Sequence, residues 1–222
     1  MSEAAVKLQT RYTWSDYRTW NDDQRWEIIG GDAYLMSPSP TYRHQRLSGK
    51  LYRQMANHFT GRRCEVLAAP MDVVLSEEDV VQPDLLVVCD TNQIKRTHIE
   101  GAPSLVVEIL SGSSERLDRR LKLELYARAG VKEYWLVSPF PSYVEVLVLD
   151  GATYRIARVV AKEQELLSPT FPDLKVALRD VFDFPLEPGE EPPVAREPPG
   201  SAYRAGAGSA QASSASQSGI PA

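Results

Sequence analysis

The 222-residue sequence is poor in cysteine and histidine, has no excess of basic charge, and contains no uninterrupted apolar run of about 18 residues. Its two cysteines, Cys64 and Cys89, are far apart and show no CxxC or Cys/His spacing. That excludes a disulfide-dense scaffold and gives no zinc signature, so both are expected to be reduced, buried, small apolar residues. Lacking a long apolar run, the chain is expected to have no membrane partner. The opening "MSEAAVKLQTRY" has no apolar segment of signal-peptide length, which makes the cytoplasm the expected location. A formal net charge of −5 argues against a protein whose whole surface grips nucleic acid, but leaves room for a local basic groove.

What is present suits an ordinary globular domain: 43% hydrophobic and 25% charged residues. From Glu187 the text changes to a Pro-rich, acidic and then Gly/Ala/Ser-rich stretch. It carries four Glu against two Arg, net −2, which leaves −3 for residues 1–186. So little apolar surface cannot offset ordering entropy, and the expected organisation is one domain over 1–186 with a disordered tail over 187–222.

Within the domain, "YTWSDYRTW" predicts a short helix capped by Thr13 or Ser15, and "RWEIIGGDAYLM" a β-hairpin. Apolar residues at three- and four-residue spacing from about Thr41 to Phe59 predict an amphipathic helix, with His44 on its apolar stripe and several Arg and Lys on the other faces. "CEVLAAPMDVVL", "PDLLVVC" and "SLVVEIL" read as strands. A helix from about Glu115 to Ala129 is expected to have Ser114 as its cap, Gly130 as its stop and Leu117, Leu121 and Leu125 as its core stripe. "EYWLVS" and "VEVLVLD" follow as strands, and "GATYRIARVV" completes a hairpin. The sum is an α/β or α+β architecture, a central mixed sheet flanked by helices with additional hairpins.

Two of the apolar strands each hold one acid, Asp84 and Glu108. A lone buried carboxylate is costly unless a cation, hydrogen bonds or a proton compensates. If the strands are neighbours, a shared divalent ion is the economical answer, with a main-chain carbonyl near Ile109 as a third oxygen. Mg²⁺ is typically held by one or two carboxylates and keeps several waters, the arrangement a phosphodiester hydrolase needs. Asp118, Lys122 and Tyr126 recur every four residues on the following helix, displaced by about 100° from the leucine stripe, which places Lys122 on the flank of the buried face.

"WEIIGGDAYLMSPSPTYRHQRL", "QPDLLVV", "LVVEILSGSS", "DRRLKLELYARAGVKEYWLV" and "FPDLKVALRDVF" together resemble the Uma2 family of endonucleases, whose fold is that of the restriction-endonuclease-like PD-(D/E)xK nucleases. The resemblance runs through roughly residues 12–184. It implies that Asp84 and Glu108 are the metal-binding motif acids. The lysine usually two residues after the acid is replaced here by Leu110, and the resemblance places it at Lys122 in "KLELY". Glu27 matches an acid from the first part of the fold, and His44 a histidine following "SPSP". Two positions depart from the family's pattern: Ser111-Gly112-Ser113 stands for Ser-Pro-Ser, and Ser138 for an Asp.

The expected function is a Mg²⁺- or Mn²⁺-dependent endonuclease acting on DNA, as a homodimer if two strands are to be cut. Asp84 and Glu108 would hold the ion, helped by Glu27; Lys122 would orient or deprotonate the attacking water, and His44 would assist. Each residue also has a plainer role open to it. Asp84 could be satisfied by backbone amides, Glu108 by an ion pair with Lys122, and Lys122 by Asp118. Glu27 could be a strand-end residue and His44 a core histidine. The rivals are a non-catalytic module retaining the nuclease fold and a hydrolase of a small phosphate ester.

Overall fold

The computed structural model describes residues 11–21, 23–36, 39–112 and 114–184. The expected tail over 187–222 and the first ten residues lie outside them. In chain order the strands are β1 (Trp26–Ile29), β2 (Asp32–Leu35), β3 (Glu65–Ala68), β4 (Val73–Ser76), β5 (Asp79–Val81), β6 (Leu85–Val88), β7 (Ile99–Glu100), β8 (Leu105–Ile109), β9 (Glu133–Ser138), β10 (Tyr143–Asp150), β11 (Thr153–Ala161), β12 (Glu165–Leu167) and β13 (Lys175–Ala177). The helices are α1 (Trp14–Tyr17), α2 (Tyr42–Phe59), α3 (Leu123–Ala129) and α4 (Leu178–Val181), with a π-helical turn over Leu117–Lys122 leading into α3.

The central sheet runs β11-β10-β9-β8-β6-β3, a second sheet runs β2-β1-β5-β4-β7, and β12 pairs with β13. β8 and β9 are parallel while β6–β8 and β9–β10 are antiparallel, so the central sheet is mixed. A parallel pair needs a crossover, and the π turn and α3 supply it.

Both faces of the central sheet are covered, which is why its strands read as continuous apolar text. One face carries Leu85, Val87, Val107 and Ile109 against Leu47, Leu51, Met55 and Phe59 of α2. The other carries Leu86, Val88, Val106 and Leu110 against Leu125, Tyr126 and Val131. Thr41 caps α2 by accepting from the His44 N–H, and Thr13 closes a capping box with Asp16 at α1. Gly30 and Gly31, at φ 57° and 80°, turn the β1–β2 hairpin.

The sequence expectations need correcting in three places. "CEVLAAPMDVVL" is two strands in different sheets, β3 and β4. Around Glu115–Ala129 the helix buries Asp118, Lys122, Leu125 and Tyr126, while Leu117 is half-buried and Leu121 is 38% exposed. The wide π turn shifts the helical phase, so the inward stripe differs from the one about 3.6 residues per turn predicts. Cys64 and Cys89 form a disulfide and are half-buried. The antiparallel register that pairs Glu65 with Val88 sets the next pair out, Cys64 and Cys89, opposite each other, with Cα atoms 4.0 Å apart.

Candidate active site

The register that pairs Leu85 with Val107 and Leu86 with Val106 sets Asp84, just before β6, opposite Glu108 on β8. Directly opposed residues of an antiparallel pair project to the same face. Since Val106 and Leu110 pack on the α3 side, Glu108 between them projects to that side, while Asp84 stands just before β6 at its end. Asp84 stands at the chain's passage from the second sheet into the central one, where Gln82 and Pro83 separate β5 from β6.

Three further elements complete the site. Glu27, on β1 of the second sheet, is buried, and its Oε1 accepts from the Gln82 backbone N–H at 2.9 Å. Lys122, at the end of the π turn, is 3% exposed; its Nζ stands 2.9 Å from Glu108 Oε1, 2.9 Å from Glu27 Oε1 and 3.5 Å from Asp118 Oδ1. His44, in the first turn of α2, sets Nε2 3.1 Å from Asp84 Oδ2, which also accepts from the Ile109 N–H at 2.7 Å. All five residues singled out from the sequence thus converge on one region. The plainer alternatives are realised in part: Asp84 takes a backbone amide and Glu108 an ion pair with Lys122.

Two residues outside that set also enter the site. Asp118, 1% exposed, carries an Oδ1 that among the described residues has no hydrogen-bond partner, only the Lys122 ammonium at 3.5 Å, and the Tyr126 hydroxyl donates to Glu108 Oε1 at 2.8 Å. Their spacing with Lys122 was the available signal, since residues four apart share a helix face. It showed a common stripe, but not that the stripe faces inward.

Four carboxylates, Glu27, Asp84, Glu108 and Asp118, face one ammonium and one imidazole. Burial pushes the Glu108 carboxyl well above the ordinary range despite the pull of Lys122, and Asp118, Asp84 and Glu27 push it further. Burial raises Asp118 as well, again against Lys122. Desolvation alone would lower the Lys122 ammonium, but Glu108, Glu27 and Asp118 reverse this and hold it well above its usual value. His44 follows the same pattern, lowered by burial and raised on balance by Asp84. The site therefore has more negative charge than its own cations neutralise.

This donor set fits a hard divalent cation. Among the described residues no group of three or more His, Cys, Asp or Glu side chains is placed to hold a metal ion. Mg²⁺ does not require one, because it usually takes one or two carboxylates and retains water. Among the described residues Asp84 Oδ1 and Glu108 Oε2 take no hydrogen bond, while the other oxygen of each is occupied. An oxygen-rich cluster short of positive charge, with one oxygen left over on each of Asp84 and Glu108, is the kind of donor set such an ion takes.

Much of the basic face of α2 is engaged within the protein. Arg43 is buried over the Phe184 ring, and Arg46 and Lys50 donate to the Asp183 carbonyl. Arg62, just beyond α2, pairs with Asp173. Among the described residues no helix is long and apolar enough to cross a membrane.

The chain is similar to known proteins in sequence and in fold. An uncharacterised protein of Synechocystis sp. is 33% identical over 127 residues, 55% of this chain and 66% of the relative. The chain thus spans just under two thirds of that relative's length. A crystal structure of a "putative nuclease belonging to DUF820" from Anabaena variabilis superposes with a TM-score of 0.63 at 17% identity, covering 77% of this chain and 97% of the other, so the fold is restriction-endonuclease-like. The family model for Uma2, described as "Putative restriction endonuclease", matches residues 14–179. That match extends over most of the chain, and the chain belongs to the Uma2 family.

Proposed function

We propose that the protein is a Mg²⁺- or Mn²⁺-dependent endonuclease that hydrolyses phosphodiester bonds in DNA. The observation that carries this reading is the position of Asp84 opposite Glu108, with Lys122 Nζ 2.9 Å from both Glu108 and Glu27. Asp84 and Glu108 would hold the ion, with Glu27 nearby. When bound, the ion supplies Lewis acidity, polarising a phosphoryl oxygen and lowering the pKa of an attacking water.

The chain's own groups supply the rest. Lys122, fixed by carboxylates from two strands, provides a positioned charge for the phosphate and a donor to orient water. Three acidic neighbours favour its charged form, which suits these roles better than that of a base. His44 steadies Asp84 from the α2 side, and the Ile109 N–H restrains the same carboxylate oxygen. Cutting both strands of a duplex would call for two copies, so a homodimer accompanies this reading.

The test is cleavage of supercoiled plasmid and of single-stranded DNA in Mg²⁺, Mn²⁺ or EDTA by wild type, Asp84→Asn and Lys122→Ala, with light scattering to give the assembly state. Metal-dependent cutting lost in both variants supports the proposal. A second reading, a nuclease-fold module that binds without cutting, draws on the net charge of −5 and the internal engagement of Arg46, Lys50 and Arg62. Equal inertness of all three proteins, with no metal binding, would favour it.

A further inference from the structure

Tyr126 has no part in the roles above, yet its hydroxyl reaches the centre of the site. The residue lies one turn beyond Lys122 on α3, fully buried, with its ring edge-on to Tyr134 at a centroid distance of 5.0 Å. Its Oη donates to Glu108 Oε1 at 2.8 Å, and that same oxygen receives Lys122 Nζ at 2.9 Å. The second donor restricts rotation of the carboxylate and leaves Oε2 as the oxygen without a hydrogen bond among the described residues.

We propose that Tyr126 is a positioning residue of the metal site, whose hydroxyl holds Glu108 by one oxygen so that the other is presented to a divalent cation. The inference rests on the metal-dependent reading above. Its physical basis is the choice of donor. A second ammonium or guanidinium at this position would hold Glu108 equally well but would repel the incoming ion through a low-dielectric interior. A phenol restrains the carboxylate without adding charge, and hydrogen-bonded partners behind a ligand typically contribute about 10- to 100-fold in metal affinity.

The experiment titrates Mn²⁺ into wild type, Glu108→Gln, Tyr126→Phe and Tyr154→Phe, following free Mn²⁺ by electron paramagnetic resonance, with cleavage measured across the same Mn²⁺ range. Tyr154→Phe is the control: it also deletes a partly buried hydroxyl, one that donates to the Val131 carbonyl at 2.7 Å. Tyr126→Phe is expected to weaken Mn²⁺ binding by about tenfold or more, with cleavage restored at high Mn²⁺, and Tyr154→Phe to stay within about twofold of wild type. Mn²⁺ affinity in Tyr126→Phe equal to wild type overturns the inference while leaving the metal reading intact. Absence of Mn²⁺ binding by wild type overturns both. A Mn²⁺-soaked crystal of wild type gives a test that does not depend on the variant folding. The ion is expected on Glu108 Oε2 with the Tyr126 bond to Oε1 retained, and an ion on Oε1 in place of that bond sinks the proposal.

Discussion

The two faces of the central sheet are built from alternate residues of the same strands, yet they do different things. On β8, Val107 and Ile109 pack on the α2 side in a cluster of aliphatic and aromatic side chains. Between them Glu108 projects to the α3 side, where it meets Lys122, Tyr126 and, through Lys122, Glu27 and Asp118. The α2 face gains stability from burying apolar surface. The α3 face encloses a cluster of acids that burial disfavours, and it is stable because the rest of the domain holds the cluster together.

Removing the central cation should break that contrast most severely. Lys122→Met keeps the stem but leaves Glu27, Glu108 and Asp118 without their shared ammonium, and we expect a loss of about 3–5 kcal/mol in chemical denaturation together with loss of cleavage. The sign with pH follows from the raised Glu108 and Asp118 pKa values. Folding takes up protons at these groups, so their contribution is most favourable at low pH and is lost as pH rises from the unfolded carboxylate range, about 4, towards the folded values. The variant should show this decline more steeply than wild type, and a pH-independent deficit would contradict the account.

On the opposite face, Leu51→Ala should cost about 2–5 kcal/mol through the cavity it leaves. Metal affinity and activity per folded molecule should be unchanged, which calorimetric titration and active-fraction-corrected rates would check. Replacing both cysteines by serine removes a cross-link closing 25 residues of sequence, and should lower stability by about 3 kcal/mol. Thiol titration of the denatured, unreduced wild type should find no free thiol. The smallest effect has the opposite sign: Glu108→Gln should raise metal-free stability by about 1 kcal/mol, because a neutral amide is easier to bury than a carboxylate crowded by acids. It should also abolish any gain in melting temperature that Mn²⁺ titration produces in wild type, as expected if Glu108 holds the ion.

Much of this site was legible in sequence because a carboxylate in an apolar strand is conspicuous. Asp84 and Glu108 stood out for that reason, the Gly30-Gly31 turn marked the hairpin that carries Glu27, and Lys122 lay on a helix flanking the sheet. The inward turn of Asp118 was not legible, because a π-helical turn changes which residues face the core and no local residue type announced it. Neither was the Cys64–Cys89 bond, since a pairing set by the register of β3 with β6 leaves no trace in the spacing along the chain. The division of "CEVLAAPMDVVL" between two sheets was hidden for a related reason: the run keeps its apolar character on both sides of Ala69 and Pro70.

Lys122 ties Glu27, from the second sheet, to Glu108, from the central one. The site is therefore no more durable than the attachment of the β1–β2 hairpin, which meets β5 at Ile28 with Val80 and is held beyond that pair by the Gly31 N–H to the Glu78 carbonyl at 2.9 Å and the Gly30 N–H to Asp79 Oδ1 at 2.8 Å. A sub-global opening that releases this hairpin would dismantle the acid cluster while the doubly covered central strands stay protected. In native-state hydrogen exchange, the amides of β1 should open at lower free energy than those of β8, and the capacity to bind an ion should vanish with the first of these events.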